Sequence, residues 1–210
     1  MYTLYGSPGS GSAVVEVALD WAGLPWQGVR AATWEPDSAL QALAALNPLR
    51  QIPTLVLPDG SVLSESAAIL VHLGLLAPDS GLLPQAPGPR AQALRGLVYI
   101  AANCYSAVSI SDFPERWCLP ADDANVASVR AGARAQLHHH WACFADLFPG
   151  QPFLLGTSPC ALDLLAAVVS KWSGSRAHLA RHRPDFLATL LRIEQHPRVQ
   201  AVFDRHWPPT

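Results

Sequence analysis

Charge is scarce in this sequence. Asp, Glu, Lys and Arg make up 14% of its 210 residues, and 14 basic against 16 acidic side chains leave a formal net charge of -2. Without a cationic surplus there is little to hold a phosphate backbone, which argues against nucleic acid as a partner. Long apolar runs are missing as well: stretches such as residues 67–71 and 164–169 fall well short of the ~20 residues that cross a bilayer. The first residues carry neither a basic leader nor a cleavage site, so the expectation is a cytoplasmic protein with no membrane partner. Neither C-x-x-C spacing nor paired His ligands surround Cys104, Cys118, Cys143 and Cys160. That argues against a zinc site or a thioredoxin-type redox pair and predicts reduced, mostly buried thiols. No internal repeat or long low-complexity tract occurs.

What is present is hydrophobic: half the residues, enough to fold as two compact units without metals or disulfides. Residues 3–5 read as a strand and 10–22 as a helix with Val14, Val15, Ala18 and Leu19 on one face. Trp26–Arg30 reads as a second strand after the break at Gly23, Leu24 and Pro25. Residues 36–46 follow as a helix stopped by Asn47 and Pro48. Residues 54–57 and 61–63 make a hairpin around Pro58, Asp59 and Gly60, and 65–76 close the unit as a helix. The order βαβ-α-ββ-α is that of a thioredoxin-like α+β domain over residues 1–77. Residues 78–89 contain four prolines and two glycines and mark a linker. From 90 to 210 only helical spacing remains, over 90–111, 123–147, 161–172, 185–194 and 198–205, so the second domain is expected to be an all-α helix bundle.

Three stretches of the first domain suggest chemistry. From Tyr5 to Ser12 the run YGSPGSGS carries a strand end through a Gly/Ser-rich turn into a helix N-terminus. Unpaired N–H groups and the helix dipole favour an anion there, and a hydroxyl can donate to it. A thiol substrate suits such a place. Lowering its pKa by about two units from ~8.5 asks for about 2.7 kcal/mol of preferential thiolate stabilisation, within reach of one charge-assisted hydrogen bond plus a helix terminus. The same residues can equally make a tight turn and cap the helix. The second stretch, NPLRQIPTL from Asn47 to Leu55, opens a strand with a proline, which strand starts accept in any case. The third, DGSVLSESAAI from Asp59 to Ile69, feeds a helix through both Glu65 and Ser66, where plain capping would need one polar residue.

In this order and spacing, and with a helical region behind them, the three stretches resemble the cytosolic glutathione transferases over nearly the whole chain, nearest to bacterial beta-like or serine-type members. The resemblance implies the glutathione-transferase fold, with glutathione as co-substrate and no metal. It implies that Pro53 is cis, leaving the backbone of Ile52, beside Gln51, to pair with the extended tripeptide. Glu65 and Ser66 would receive the charged γ-glutamyl end. Gly11 stands where the beta class carries its cysteine, so no mixed disulfide is expected at that position, and Tyr5 lies inside the strand rather than at the tyrosine of the animal classes. Thiolate activation then falls to a hydroxyl: Ser10 before Ser12, with Ser7 and Tyr5 behind them. Asn103, on one helical face with Tyr99, Ser106 and Ile110, matches a beta-class asparagine that contacts ligand at the domain interface, or is simply satisfied within helix packing.

Tyr105, Phe113, Trp117, Trp172 and Trp207 can line an apolar pocket or belong to the core. Cys160 and Asp163 correspond to the family's capping box, with a cysteine at the usual hydroxyl. His138, His139 and His140 read as helix surface, and Arg176, Arg181 and Arg183 with His178 and His182 as a solvated basic helix end. The implied activity is conjugation: a glutathione thiolate attacking a hydrophobic electrophile, a detoxification chemistry, in a homodimer. The alternatives are a glutathione-dependent peroxidase or disulfide reductase, or a non-catalytic glutathione- or ligand-binding protein of the same fold.

Overall fold

The computed structural model describes residues 1–208. Strand β1 (Tyr2–Gly6) leads into helix α1 (Ser12–Trp21) and returns as β2 (Trp26–Arg30), parallel to β1 with Tyr2 opposite Trp26. Helix α2 (Leu40–Leu46) precedes β3 (Thr54–Val56), which pairs antiparallel with β1 so that Leu55 faces Leu4. A hairpin then gives β4 (Val62–Leu63) and helix α3 (Ser66–Leu76). The sheet order β2-β1-β3-β4 is the thioredoxin-like arrangement expected from the element order. Helix α1 buries more than one stripe, Ala13, Val14, Val15, Val17, Ala18 and Leu19 all being fully enclosed. It lies between the sheet and helices of the second region, so two opposite faces are covered.

Beyond α3 the chain is helical: α4 (Pro87–Tyr99), a π-helical turn at Ile100–Tyr105, α5 (Ser106–Asp112) and the long α6 (Asp123–Leu147), then α7 (Ala161–Val169), α8 (Ser175–His182), α9 (Pro184–Glu194) and α10 (Pro197–His206). Together these regions have the layout that the resemblance implies, a thioredoxin-like α+β region followed by a helix bundle. Helix α4 begins at Pro87, inside the stretch read as linker, because Pro87 and Pro89 occupy the first turn, where a missing N–H costs nothing. Helix α8 was not expected; the basic residues read as a helix end form a short helix of their own. The continuous run Pro87–Asp112 is long and apolar enough by composition to span a bilayer, a length the interrupted apolar runs do not suggest. In this fold it packs against α3, α6 and α7.

Asp163 anchors α7. Its carboxylate accepts from the Cys160 and Leu154 backbone N–H groups, both at 2.9 Å, and burial pushes its pKa up. The four cysteines are free; Cys104 and Cys160 are buried, Cys118 and Cys143 half-buried. Burial raises the pKa of the Cys104 and Cys160 thiols, which keeps them protonated and unreactive.

Candidate active site

A cleft of about 970 Å³ separates the sheet region from the π-helical turn and α5. Three backbone features of the first region form one wall. The β1–α1 turn is the first. Ser7, Ser10 and Ser12 are all buried, with the Ser10 and Ser12 hydroxyls gathered at the Ser7 carbonyl. Ser10 Oγ donates to the Ser7 carbonyl at 2.6 Å and accepts from the Ser12 N–H at 3.2 Å. Ser12 Oγ lies 3.2 Å from the same carbonyl and 3.0 Å from Ser10 Oγ. Of the two, Ser10 reaches the cleft wall, whereas Ser12 is fully enclosed behind it. Tyr5 stays within β1, opposite Thr54.

Two residues distant in sequence hold this turn. Ser7 Oγ donates to Glu35, which also pairs with Arg30 at 2.5 Å; the Arg30 guanidinium first, then the Ser7 hydroxyl, keep the Glu35 carboxyl below its ordinary range. On the other side Gly9 N–H donates to His206 Nδ1 at 3.1 Å, while His206 Nε2 lies 2.8 Å from Glu16. Helix α10 thereby clamps the turn from the far end of the chain.

The loop before β3 is the second feature. Asn47, buried, reaches the Gln51 carbonyl at 3.2 Å and Thr54 Oγ1 at 3.1 Å, and the Thr54 hydroxyl donates to the same carbonyl at 2.8 Å. These bonds present Gln51, Ile52 and Pro53 to the cleft. The Ile52–Pro53 bond is cis, and among the described residues the Ile52 backbone N–H and carbonyl make no hydrogen bond. The head of α3 is the third. Glu65 has φ 66 and ψ 109, a conformation that non-glycine residues rarely adopt. No side chain caps α3, and Ser66 and Ala67 line the cleft beside Glu65.

The opposite wall comes from the helical region: Ala101, Tyr105, Val108 and Asp112 on one helical face, with Phe113 and Trp117 beyond them and Trp172 from the segment after α7. Trp117 and Trp34 are 60% and 57% exposed, forming an aromatic rim. Four of the five aromatics singled out from the sequence, Tyr105, Phe113, Trp117 and Trp172, line the cleft. Trp207 instead packs against Phe203 and His206. Asn103 does not line it; its Nδ2 donates to the Tyr99 carbonyl at 3.1 Å. The face through Ala101, Tyr105 and Val108 has the same helical spacing as the face through Tyr99, Asn103 and Ser106, so spacing could not choose between them.

Elsewhere, His139 is exposed but His138 and His140 are half-buried, and His138 stacks on His178 at 4.5 Å, a contact that joins α6 to α8. Among the described residues no group of three or more His, Cys, Asp or Glu side chains is arranged to hold a metal. Sequence reasoning missed Glu35 and His206, whose roles arise through space, and treated Tyr105 as one aromatic among several.

A model of the glutathione S-transferase N-terminal domain matches residues 12–75. The chain is 28% identical over 210 residues to the uncharacterized GST-like protein YncG of Escherichia coli (strain K12), with 98% of each covered. Among solved structures, a glutathione transferase homolog from sulfitobacter with bound glutathione superposes at a TM-score of 0.82, with 27% identity and 97% of both chains covered. A glutathione S-transferase from methylobacterium radiotolerans, in complex with glutathione sulfonate, superposes at 0.78, with 28% identity over 100% of this chain and 96% of that one. Residues 12–75, from the head of α1 to the end of α3, thus match the glutathione S-transferase N-terminal domain, and the chain as a whole shares the glutathione-transferase fold and is similar to such proteins along nearly its full length.

Proposed function

We propose that this protein binds glutathione in the cleft and presents its sulfur as a thiolate to an apolar electrophile. In this reading residues 1–77 bind glutathione, 78–89 connect, and the helices from 90 onward supply the electrophile's side of the cleft. The observation that carries it is Glu65. A non-glycine residue held at φ 66 costs of order 1–3 kcal/mol and persists where function needs it. Here it sets a carboxylate beside Ser66 and the uncapped N-terminus of α3, a pairing suited to the ammonium and carboxylate of a γ-glutamyl group. The unpaired Ile52 backbone can bond the middle of an extended tripeptide. Its sulfur would then reach the β1–α1 turn, where Ser10 and the α1 N-terminus favour an anion. The aromatic rim of Trp34 and Trp117 suits an apolar second substrate.

One observation favours the non-catalytic alternative: the Ser10 hydroxyl is already engaged with the Ser7 carbonyl. The discriminating measurement is a pH titration of glutathione thiolate absorbance with and without a saturating excess of protein, followed by turnover assays on aryl halides, epoxides and hydroperoxides. The expected outcome is a bound-thiol pKa about two units below the free value of ~8.5, together with turnover of at least one electrophile. Glutathione bound with an unshifted thiol would make the protein a ligand carrier.

A further inference from the structure

Gly11 lines the cleft at the N-terminus of α1. A Cβ placed on it would collide with the hydroxyl of Tyr105, with Tyr105 Cζ at 3.3 Å and Pro53 Cδ at 3.5 Å. The phenol oxygen therefore fills the volume that a side chain at position 11 would take, at the helix terminus and beside the loop proline. Its ring is braced by Trp172, centroids 5.6 Å apart at 58°, and packs against the core. Among the described residues the Tyr105 hydroxyl makes no hydrogen bond, although every serine of the turn has at least one partner. Among these hydroxyls, the one left without a partner at the head of α1 is the phenol.

We propose that Tyr105, from the helical region, donates the hydrogen bond that holds the glutathione sulfur as thiolate, in the space left open by Gly11. This rests on the glutathione reading above and names the group that activates the thiol. Burial, and after it the charges of Glu65 and Asp112, push the Tyr105 phenol up to about 12, so it keeps its proton across the neutral range and acts as donor, not base. A neutral O–H donated to a sulfur anion is a charge-assisted bond that the protonated thiol does not receive in full, which is the differential needed to lower the thiol pKa. The thiol proton leaves to solvent. The sulfur lone pair then forms the bond to the electrophilic carbon, and the leaving group departs with its bonding pair while Tyr105 retains its proton. Gly11 is part of the device, since a larger residue there would push the phenol away.

The test is the thiolate titration and the pH profile of kcat/KM with an aryl halide for the unsubstituted protein, Tyr105→Phe, Gly11→Ala and Ser10→Ala. Tyr105→Phe keeps the ring against Trp172 and removes only the donor. It is expected to raise the bound-thiol pKa by about one unit or more and to lower kcat/KM at pH 6.5 by about tenfold to a hundredfold, with glutathione affinity changed less than threefold. Gly11→Ala, which displaces the phenol by another route, is expected to raise the pKa likewise. A lowered thiol pKa indifferent to both substitutions, or raised by Ser10→Ala alone, overturns this proposal and leaves the transferase reading standing. No bound thiolate in the unsubstituted protein overturns both.

Discussion

Single side chains at this site act through partners far along the chain. Glu35 shows the consequence for pH. Its carboxyl is depressed by Arg30 and by the Ser7 hydroxyl, so its contribution to stability is complete above the ordinary carboxyl pKa of about 4.5 and is lost as pH falls through the lower folded value. Glu35→Gln is therefore expected to lower the urea midpoint slightly at pH 7, by the small amount a solvent-screened ion pair supplies, and to converge with the unsubstituted protein well below about pH 4.5, so that its acid limb is flatter. Urea midpoints measured from pH 3 to 7 on both proteins check this; parallel acid limbs would show that Glu35 is not linked to folding. Ser10, Glu65 and Ser66 could be nominated from the sequence because turns, caps and helix heads are built from neighbours. Glu35 and His206 could not, since nothing local to either points to the β1–α1 turn.

At the level of helices and strands, packing sets the details that periodicity leaves open. Helices α4 and α7 approach closely at Gly96, where a Cβ would lie 2.6 Å from both terminal methyl carbons of the fully buried Leu162. Gly96→Val is expected to destabilise the protein by about 1–3 kcal/mol through overpacking, read as a fall in urea midpoint, with partial recovery in the double variant Gly96→Val, Leu162→Ala. Equal stability would mean that the helices can part without cost. The existence and order of the elements in the sheet region follow from alternation and turn residues. The entry of α4 at Pro87 and the separate α8 were not legible, because proline marks both linkers and first helical turns and because eight mostly polar residues show little periodicity.

Taken whole, the molecule has one continuous hydrophobic core. Leu4, Val14 and Leu70 from the sheet region join Leu97, Trp141 and Leu164 from the helices in a single cluster. The two regions are accordingly expected to unfold together: tryptophan fluorescence and far-ultraviolet circular dichroism should give coincident urea transitions, and separated midpoints would show independent units. The amino-acid order alone was enough for the thioredoxin-like start, the helical remainder and the three stretches that line one wall of the cleft, because strand alternation, helix spacing and turn chemistry are local properties. Which helical face meets the cleft, Tyr105 rather than Asn103, and which distant groups close on the β1–α1 turn, depend on contacts between residues far apart in the chain. Those contacts come from how the helices settle against one another and the sheet, since side-chain spacing says which residues share a face and not what that face will touch.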